Sequence, residues 1–232
     1  MELAIDTSTE VAGIALSSQG EIIAELTWHA GQSHTTELVS SLNCILEQMK
    51  LNLEDINGVI VAKGPGSFNG LRVGMSFAKG LALSLNIPIV GISTLEVEAF
   101  PYAATDLPIC PIQNAGRGEI AAALFQTKRG KWRRVVEEHI TTIEKLISEI
   151  KGPTIFCGEM QQAAMSRLEE KLGRKARIFK GSAALRRAGY LAELGWRRLE
   201  ARDFDHSPTL EPLYLRRPAI TVSNKVKIQG VM

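Results

Sequence analysis

The chain has 232 residues, with 27 Lys and Arg against 25 Asp and Glu, for a formal net charge of +2. An apolar fraction of 45% beside a charged fraction of 22% is an ordinary globular mix, which excludes a disordered, collagen-like or coiled-coil chain. No apolar run approaches the about 20 residues of a membrane-spanning helix, and the length suits one large domain or two small ones.

The opening MELAIDTSTE carries acids early and no basic-then-apolar stretch, so no secretion signal is expected. Leu3 and Ile5 alternate with Ala4 and Asp6, Val11 to Leu16 is an apolar run, and Ile22 to Trp28 follows a Ser-Ser-Gln-Gly turn. Three strands so closely joined predict an antiparallel meander. Leu38, Leu42, Ile45 and Met49 then fall on one helical stripe, predicting a helix over about 34–50. A buried-type strand at 58–62, a loop at 63–70, a helix at about 70–86 and a strand at 87–92 follow. Ser93-Thr94 before Glu96 has the pattern of a helix N-cap. Residues 1–106 thus read β-β-β-α-β-α-β-α, a sheet with helices on its faces.

Further on, strands are predicted near 108–114, 119–126, 132–140 and 153–157, and helices near 141–150, 159–172 and 182–202. The expected division is a first lobe over 1–106 and a second over 107–217, with the helix at 182–202 packing back on the first, and a tail at 218–232 without periodicity. Charge is uneven along the chain. Through residue 164 there are 12 basic and 18 acidic residues, and from 165 onward 15 basic and 7 acidic. A basic back half with Arg186-Arg187, Arg197-Arg198, Arg202 and Arg216-Arg217 reads either as a solvated helix face or as a surface for RNA phosphates.

Few residues suggest chemistry. Gly64-Pro-Gly-Ser-Phe-Asn-Gly70 leads into a helix start, where N–H groups lack intrahelical partners and attract anions. It reads either as an anion loop flanked by Lys63 and Arg72 or as a tight turn without a ligand. It is not a Walker loop, because the Gly-Lys-Ser/Thr ending is absent. Asp6-Thr-Ser-Thr9 reads either as a metal–phosphate holder or as a local Asx or Ser/Thr turn. Gly70, Gly74, Ala78 and Ala82 form a small-residue stripe, used either for packing on a neighbouring helix or for a subunit interface with Val73, Phe77 and Leu81 beside it. His29, His34, His139 and His206 have no zinc-site spacing, and His34 with Glu37 reads as an exposed helix-start pair. Cys44, Cys110 and Cys157 are too far apart for a disulfide framework or CxxC site, read as core, and point to a reducing cytosol.

Four blocks occur in order: Leu3-Ala-Ile-Asp-Thr-Ser-Thr-Glu10, Gly64-Pro-Gly-Ser-Phe-Asn-Gly-Leu-Arg72, Ala78-Lys-Gly-Leu-Ala82 and Gly91-Ile-Ser-Thr-Leu-Glu96. Together they resemble the bacterial TsaB family, also called YeaZ, strongly over residues 1–100 and thinly afterwards. Glu211-Pro-Leu-Tyr-Leu-Arg216 is similar to the family's closing segment. The resemblance implies an actin/hexokinase/Hsp70-like (ASKHA) α/β fold, with two related lobes of mixed sheet flanked by helices. It implies a cytoplasmic, non-catalytic subunit needed to form threonylcarbamoyladenosine beside the anticodon of tRNA. Its partners would be a TsaD-like paralogue, which holds the metal, and a TsaE-like ATPase. No cofactor of its own is expected, ATP and metal being used by those partners. tRNA would be met indirectly or through the basic half, and the chain would homodimerise when alone. The expected partner interface is Leu38, Leu42, Gly70, Arg72, Val73, Gly74, Phe77, Ala78 and Leu81. Asp6, Ser8, Lys63, Gly64, Gly66 and Ser67 would form a vestigial phosphate site. The sequence departs from the family at Asn69, where Thr is common, and at Asn114-Ala-Gly-Arg-Gly-Glu119, where the family has Asp-Ala-Arg-x-x-Glu. The alternatives are an ATP-binding or ATP-hydrolysing enzyme of the same superfamily and a glycoprotease-like metallopeptidase.

Overall fold

The computed structural model describes residues 1–31 and 34–216, with the backbone alone at His34. The first sheet is built from β1 (Glu2–Asp6), β2 (Val11–Ser18), β3 (Glu21–His29), β4 (Gly58–Ala62) and β5 (Ile89–Ile92), with α1 (His34–Met49) before β4 and α2 (Phe68–Leu85) before β5. Its order is β3-β2-β1-β4-β5, antiparallel through the first three strands and parallel from β1 to β5. A short helix α3 (Thr94–Ala99) follows, capped by Ser93 as its sequence predicts.

The second sheet repeats this plan. β6 (Ile109–Gly116), β7 (Glu119–Lys128) and β8 (Lys131–Thr141) form a meander; then come α4 (Ile143–Glu149), β9 (Thr154–Cys157), α5 (Gln162–Leu172), β10 (Ala176–Ile178) and α6 (Ala188–Glu200). The order β10-β9-β6-β7-β8 is the first sheet's topology again. Three hairpins close with the same chemistry: Gln19-Gly20, Arg117-Gly118 and Arg129-Gly130 all have positive φ at both positions. Two such residues make a turn whose twist matches the strands it joins.

Each sheet is sandwiched. Leu3, Ile5, Ile14, Leu16, Val59 and Val61 point to one face and pack with Leu38, Leu42 and Ile45 of α1 and Met75 and Ala78 of α2. Their neighbours Ala4, Ala15, Ile60 and Ala62 point to the other face, under Leu191, Ala192 and Leu194 of α6. Small residues let α6 approach closely: a Cβ on Gly195 would stand 2.3 Å from Ile60. In the second sheet α3 packs one face through Leu95 and Ala99, and α4 and α5 the other through Leu146 and Leu168. The final helix of each repeat thus lies between the two sheets. Among the described residues, no helix is long and apolar enough to cross a membrane.

Several local expectations are corrected. The helix expected from 182 begins at Ala188; residues 181–184 are a 3₁₀ turn, and Arg187 is extended at φ −122°. The helix expected from 159 begins at Gln162, after a turn in which Gly158 has φ +96°. Cys44 is exposed, because it lies on the outer side of α1, whereas Cys110 and Cys157 are buried. Strand β10 was not predicted: three residues, Ala-Arg-Ile, are too few to show a period. The tail at 218–232 lies outside the described residues.

Candidate functional site

The two lobes face each other across a cleft of about 470 Å³, lined by Thr9, Glu10, Gly66 and Ser67 on one side and by Gln113, Asn114, Glu159, Met160 and Gln161 on the other. Beneath it lies Arg186, its side chain only 2% exposed. The extended segment before α6 carries it there. Nε donates to Asp6 Oδ2 at 2.6 Å, Nη1 to Glu98 Oε1 and Glu159 Oε1 at 2.9 Å each, and Nη2 to Thr9 Oγ1 at 2.6 Å and the Val11 carbonyl at 3.0 Å. A guanidinium has five N–H donors, and all five are taken. Burial alone would lower its pKa, but Asp6, Glu98 and Glu159 outweigh that and raise it, so the group stays charged.

Glu98 is the strained partner. Burial pushes its pKa up to about 7, against the opposing pull of Arg186 and Gln113. Its Oε1 accepts from Gln113 at 3.0 Å and from Arg186, while Oε2 is buried without a partner among the described residues. Gly158 makes room for it: a Cβ there would stand 2.4 Å from Oε2.

The residues expected to hold phosphate are placed as follows. Asp6 Oδ1 accepts from the Ser8 N–H at 2.9 Å and the Ser8 hydroxyl at 2.6 Å, an Asx turn, while Oδ2 is held by Arg186. A metal–phosphate at Asp6 would have to displace that buried guanidinium. The loop's donors are turned inward. Lys63 N–H donates to the Ile92 carbonyl, Gly64 N–H to Thr94 Oγ1 and Ser67 N–H to the Ser8 carbonyl. Gly66 lies so close to Ser8 that a Cβ would meet its carbonyl oxygen at 2.2 Å. The Lys63 side chain packs on Gly91, away from the cleft-lining residues. The geometry therefore favours a packed turn over an anion loop at 63–70.

The expected interface residues separate into two sets. Leu38, Leu42, Gly70, Gly74 and Ala78 are buried inside the chain's own core. Gly70 and Gly74 are small because α2 rests on the end of β1: a Cβ on Gly74 would stand 2.3 Å from Thr7 Oγ1, and that hydroxyl donates to the Gly70 carbonyl at 2.7 Å. Gly70 and Gly74 of the small-residue stripe thus seat the helix on its own sheet, and Ala78 and Ala82 lie in the first core. Arg72 is exposed, and Val73, Phe77 and Leu81 are half-buried. Leu38, Val39, Val73 and Phe77 line an apolar groove of about 490 Å³ between α1 and α2. Phe68, 40% exposed, continues this surface, with Arg72 above its ring and Tyr214 beside it.

The closing segment returns to both lobes. Leu210 enters the first core, Leu213 N–H donates to the Lys63 carbonyl at 2.6 Å, and Arg216 pairs with Glu119 on the second lobe. The departures at 114–119 lie at the β6–β7 turn, where the Asn114 side chain accepts from Gly116 N–H at 2.9 Å. Glu37 is half-buried, while the side chain of His34 lies outside the described residues. Among the described residues, no group of three or more His, Cys, Asp or Glu side chains is placed to hold a metal ion.

The family model described as TsaD, tRNA N6-adenosine threonylcarbamoyltransferase, matches residues 22–223. The tRNA threonylcarbamoyladenosine biosynthesis protein TsaB of Bacillus subtilis is 36% identical over 219 residues, covering 92% of this chain and 93% of that one. The chain belongs to the TsaB family. TsaB of Escherichia coli is 40% identical over 97 residues, 42% of each chain. The threonylcarbamoyltransferase of Fervidobacterium nodosum is 35% identical over 106 residues, but these are only 39% of this chain and 32% of that one. YeaZ from Pseudomonas aeruginosa superposes with a TM-score of 0.77 at 20% identity, covering 92% of this chain and 99% of that one. The fold is ASKHA-like, as the resemblance implies, with two mixed sheets flanked by helices.

Sequence reasoning missed Arg186. It sits among the back-half arginines, whose pattern suggests a solvated helix face or a surface for RNA phosphates. Its one distinguishing sign is that it precedes Ala188-Gly189, where small residues announce close packing; Gly189 N–H donates to Glu25 Oε1 at 3.1 Å.

Proposed function

We propose that this TsaB-family chain is a cytoplasmic, non-catalytic subunit in the formation of threonylcarbamoyladenosine in tRNA. It pairs with a TsaD-like transferase and a TsaE-like ATPase, which bring the metal and the ATP. The observation that carries this reading is Arg186. Beneath the cleft, in place of free carboxylates, lies a buried guanidinium whose five donors are all engaged by the chain's own residues. Asp6, the carboxylate best placed to hold a metal–phosphate, is thereby occupied. The apolar α1–α2 groove supplies what a subunit needs: exposed Val39 and Phe68 beside half-buried Val73 and Phe77. The same groove would pair two copies when the partner is missing.

Co-purification tests the pairing. Gly74 is unsuited as a probe, because its replacement damages the core. Val39, 43% exposed on α1, is suited. Val39→Glu should leave the fold intact by circular dichroism and abolish co-purification with a TsaD-like protein; retained binding would place the interface elsewhere. The competing reading, an ATP-binding enzyme, is tested by titrating magnesium-ATP into the isolated chain. Tight binding would favour it, and no measurable heat is expected.

A further inference from the structure

Lys128-Arg-Gly-Lys-Trp-Arg-Arg134 puts five basic residues and no acid into seven positions. The segment is the β7–β8 hairpin tip, closed by Arg129-Gly130. Lys128 stands directly opposite Lys131, and Arg133 opposite Gln126. Like charges directly opposite on a sheet are destabilising, so this arrangement is not explained by folding. Lys128, Arg129, Lys131 and Arg133 are all exposed, and among the described residues none forms an ion pair. The residues outside the description cannot supply a side-chain carboxylate, since 217–232 contain no Asp or Glu.

The hairpin does not stand alone. Lys131 and Trp132 share a pocket of about 430 Å³ with Arg197 and Arg198 at the end of α6. The Arg197 guanidinium lies 4.7 Å from the Phe100 ring centre, and Phe100 meets Trp132 edge-on at 5.6 Å. Exposed Arg202 follows, with φ +57°. Most acids on this edge are engaged, Glu193 by Arg197, Asp203 and Asp205 by Arg198, and Glu96 by Arg134 and Trp132 Nε1, while Glu200 and Asp106 are exposed and form no ion pair among the described residues. The four unpaired charges of the hairpin thus stand beside the end of α6, where Arg197 and Arg198 are paired and exposed Arg202 forms no ion pair among the described residues. Half-buried Trp132 is stacked on Phe125 at 5.4 Å and 5° and donates its Nε1–H to Glu96, so its ring serves the chain's own packing.

We infer that this face, the β7–β8 tip with the end of α6, docks the phosphate backbone of RNA. The inference rests on the tRNA role proposed above and names the surface that meets the substrate. The unpaired charges of Lys128, Arg129, Lys131 and Arg133, without an aromatic platform among them, suit backbone contact, which positions an RNA without reading its sequence.

The test measures binding of the full chain to a tRNA transcript between about 50 mM and about 200 mM salt. The variant is Lys128→Glu/Lys131→Glu/Arg133→Glu, with a Gln version at the same positions. The control triple is Lys50→Glu/Lys145→Glu/Lys151→Glu, on exposed lysines of the outer helical layers. Losing three phosphate contacts should weaken binding about tenfold or more at the lower salt and flatten the salt slope by about 2–3. The Gln triple should show the smaller loss, and the control triple should bind like the parent. Equal loss in both Glu triples, no binding by the parent, or tighter binding to phosphatidylglycerol vesicles than to tRNA would overturn the inference. Deletion of the gene reads the underlying role separately. If threonylcarbamoyladenosine persists, that role falls; if it vanishes while the hairpin triple binds tRNA like the parent, only this face falls.

Discussion

Arg186 and Glu98 decide what the cleft can do. Replacing Arg186 with Met would leave Asp6 and Glu98 buried without their counter-charge. Breaking a buried pair in this way costs about 3–5 kcal/mol, so Arg186→Met should lose that much stability in urea unfolding; a loss below about 1 kcal/mol would mean that the cluster is not what holds the lobes. Glu98 links stability to pH. Its carboxyl titrates near 7 in the fold, against an ordinary 4.5. Between these values the folded state binds more protons than the unfolded one, so this group's stabilisation is full below about pH 4.5 and is lost as pH rises to about 7. Glu98→Gln removes the titration. The stability of the Gln variant relative to the parent should therefore rise from pH 5 to pH 8, and parallel curves would contradict the assignment. None of this was legible in the sequence. Glu98 and Arg186 are 88 positions apart, and each looks like an ordinary surface charge until α3 and α6 bring them between the sheets.

Helix α2 shows what a small-residue stripe is for. Gly74 has Thr7 Oγ1 where a Cβ would go, whereas Gly80, six residues on, has nothing within 4 Å. Replacing a helical glycine with alanine favours the helix by about 1 kcal/mol. Gly80→Ala should therefore raise stability by about that amount, and Gly74→Ala should lower it by about 1–3 kcal/mol through overpacking. Thermal unfolding of both variants checks this, and two shifts of the same sign would contradict the seating of α2 on β1. The elements themselves were largely legible, because most have periods that a sequence can display. Alternation marks β1, and Leu38, Leu42 and Ile45 mark the buried side of α1. The stripe on α2 was visible too, but a pattern of small residues says only that something approaches closely. It does not say whether that is a sheet, a helix or another chain. The misplaced starts of α5 and α6 have a similar cause: turns set by Gly158 and by extended Arg187 carry no period.

At the scale of the molecule, the two sheets share one topology although their sequences show no short repeat. Each repeat contributes a final helix to the layer between them, and that exchange brings Asp6, Glu98, Glu159 and Arg186 together. The same layer carries Arg197 and Arg198 to the β7–β8 tip, so charges split along the chain are regrouped in space. The ASKHA-like fold and the family were legible because the blocks at 3–10, 64–72 and 91–96 stand where the lobe is built. The charge cluster beneath the cleft was not, because it depends on one side chain arriving from the far end of the sequence. A two-lobed chain whose carboxylates beneath the cleft are held by its own arginine, with an apolar groove on its outer helices and a basic hairpin tip, suits a subunit that works through others. Mass analysis of tRNA nucleosides from a strain lacking the gene tests that account most directly. Threonylcarbamoyladenosine should disappear and return when the intact gene is restored; its persistence in the deletion strain would contradict the account.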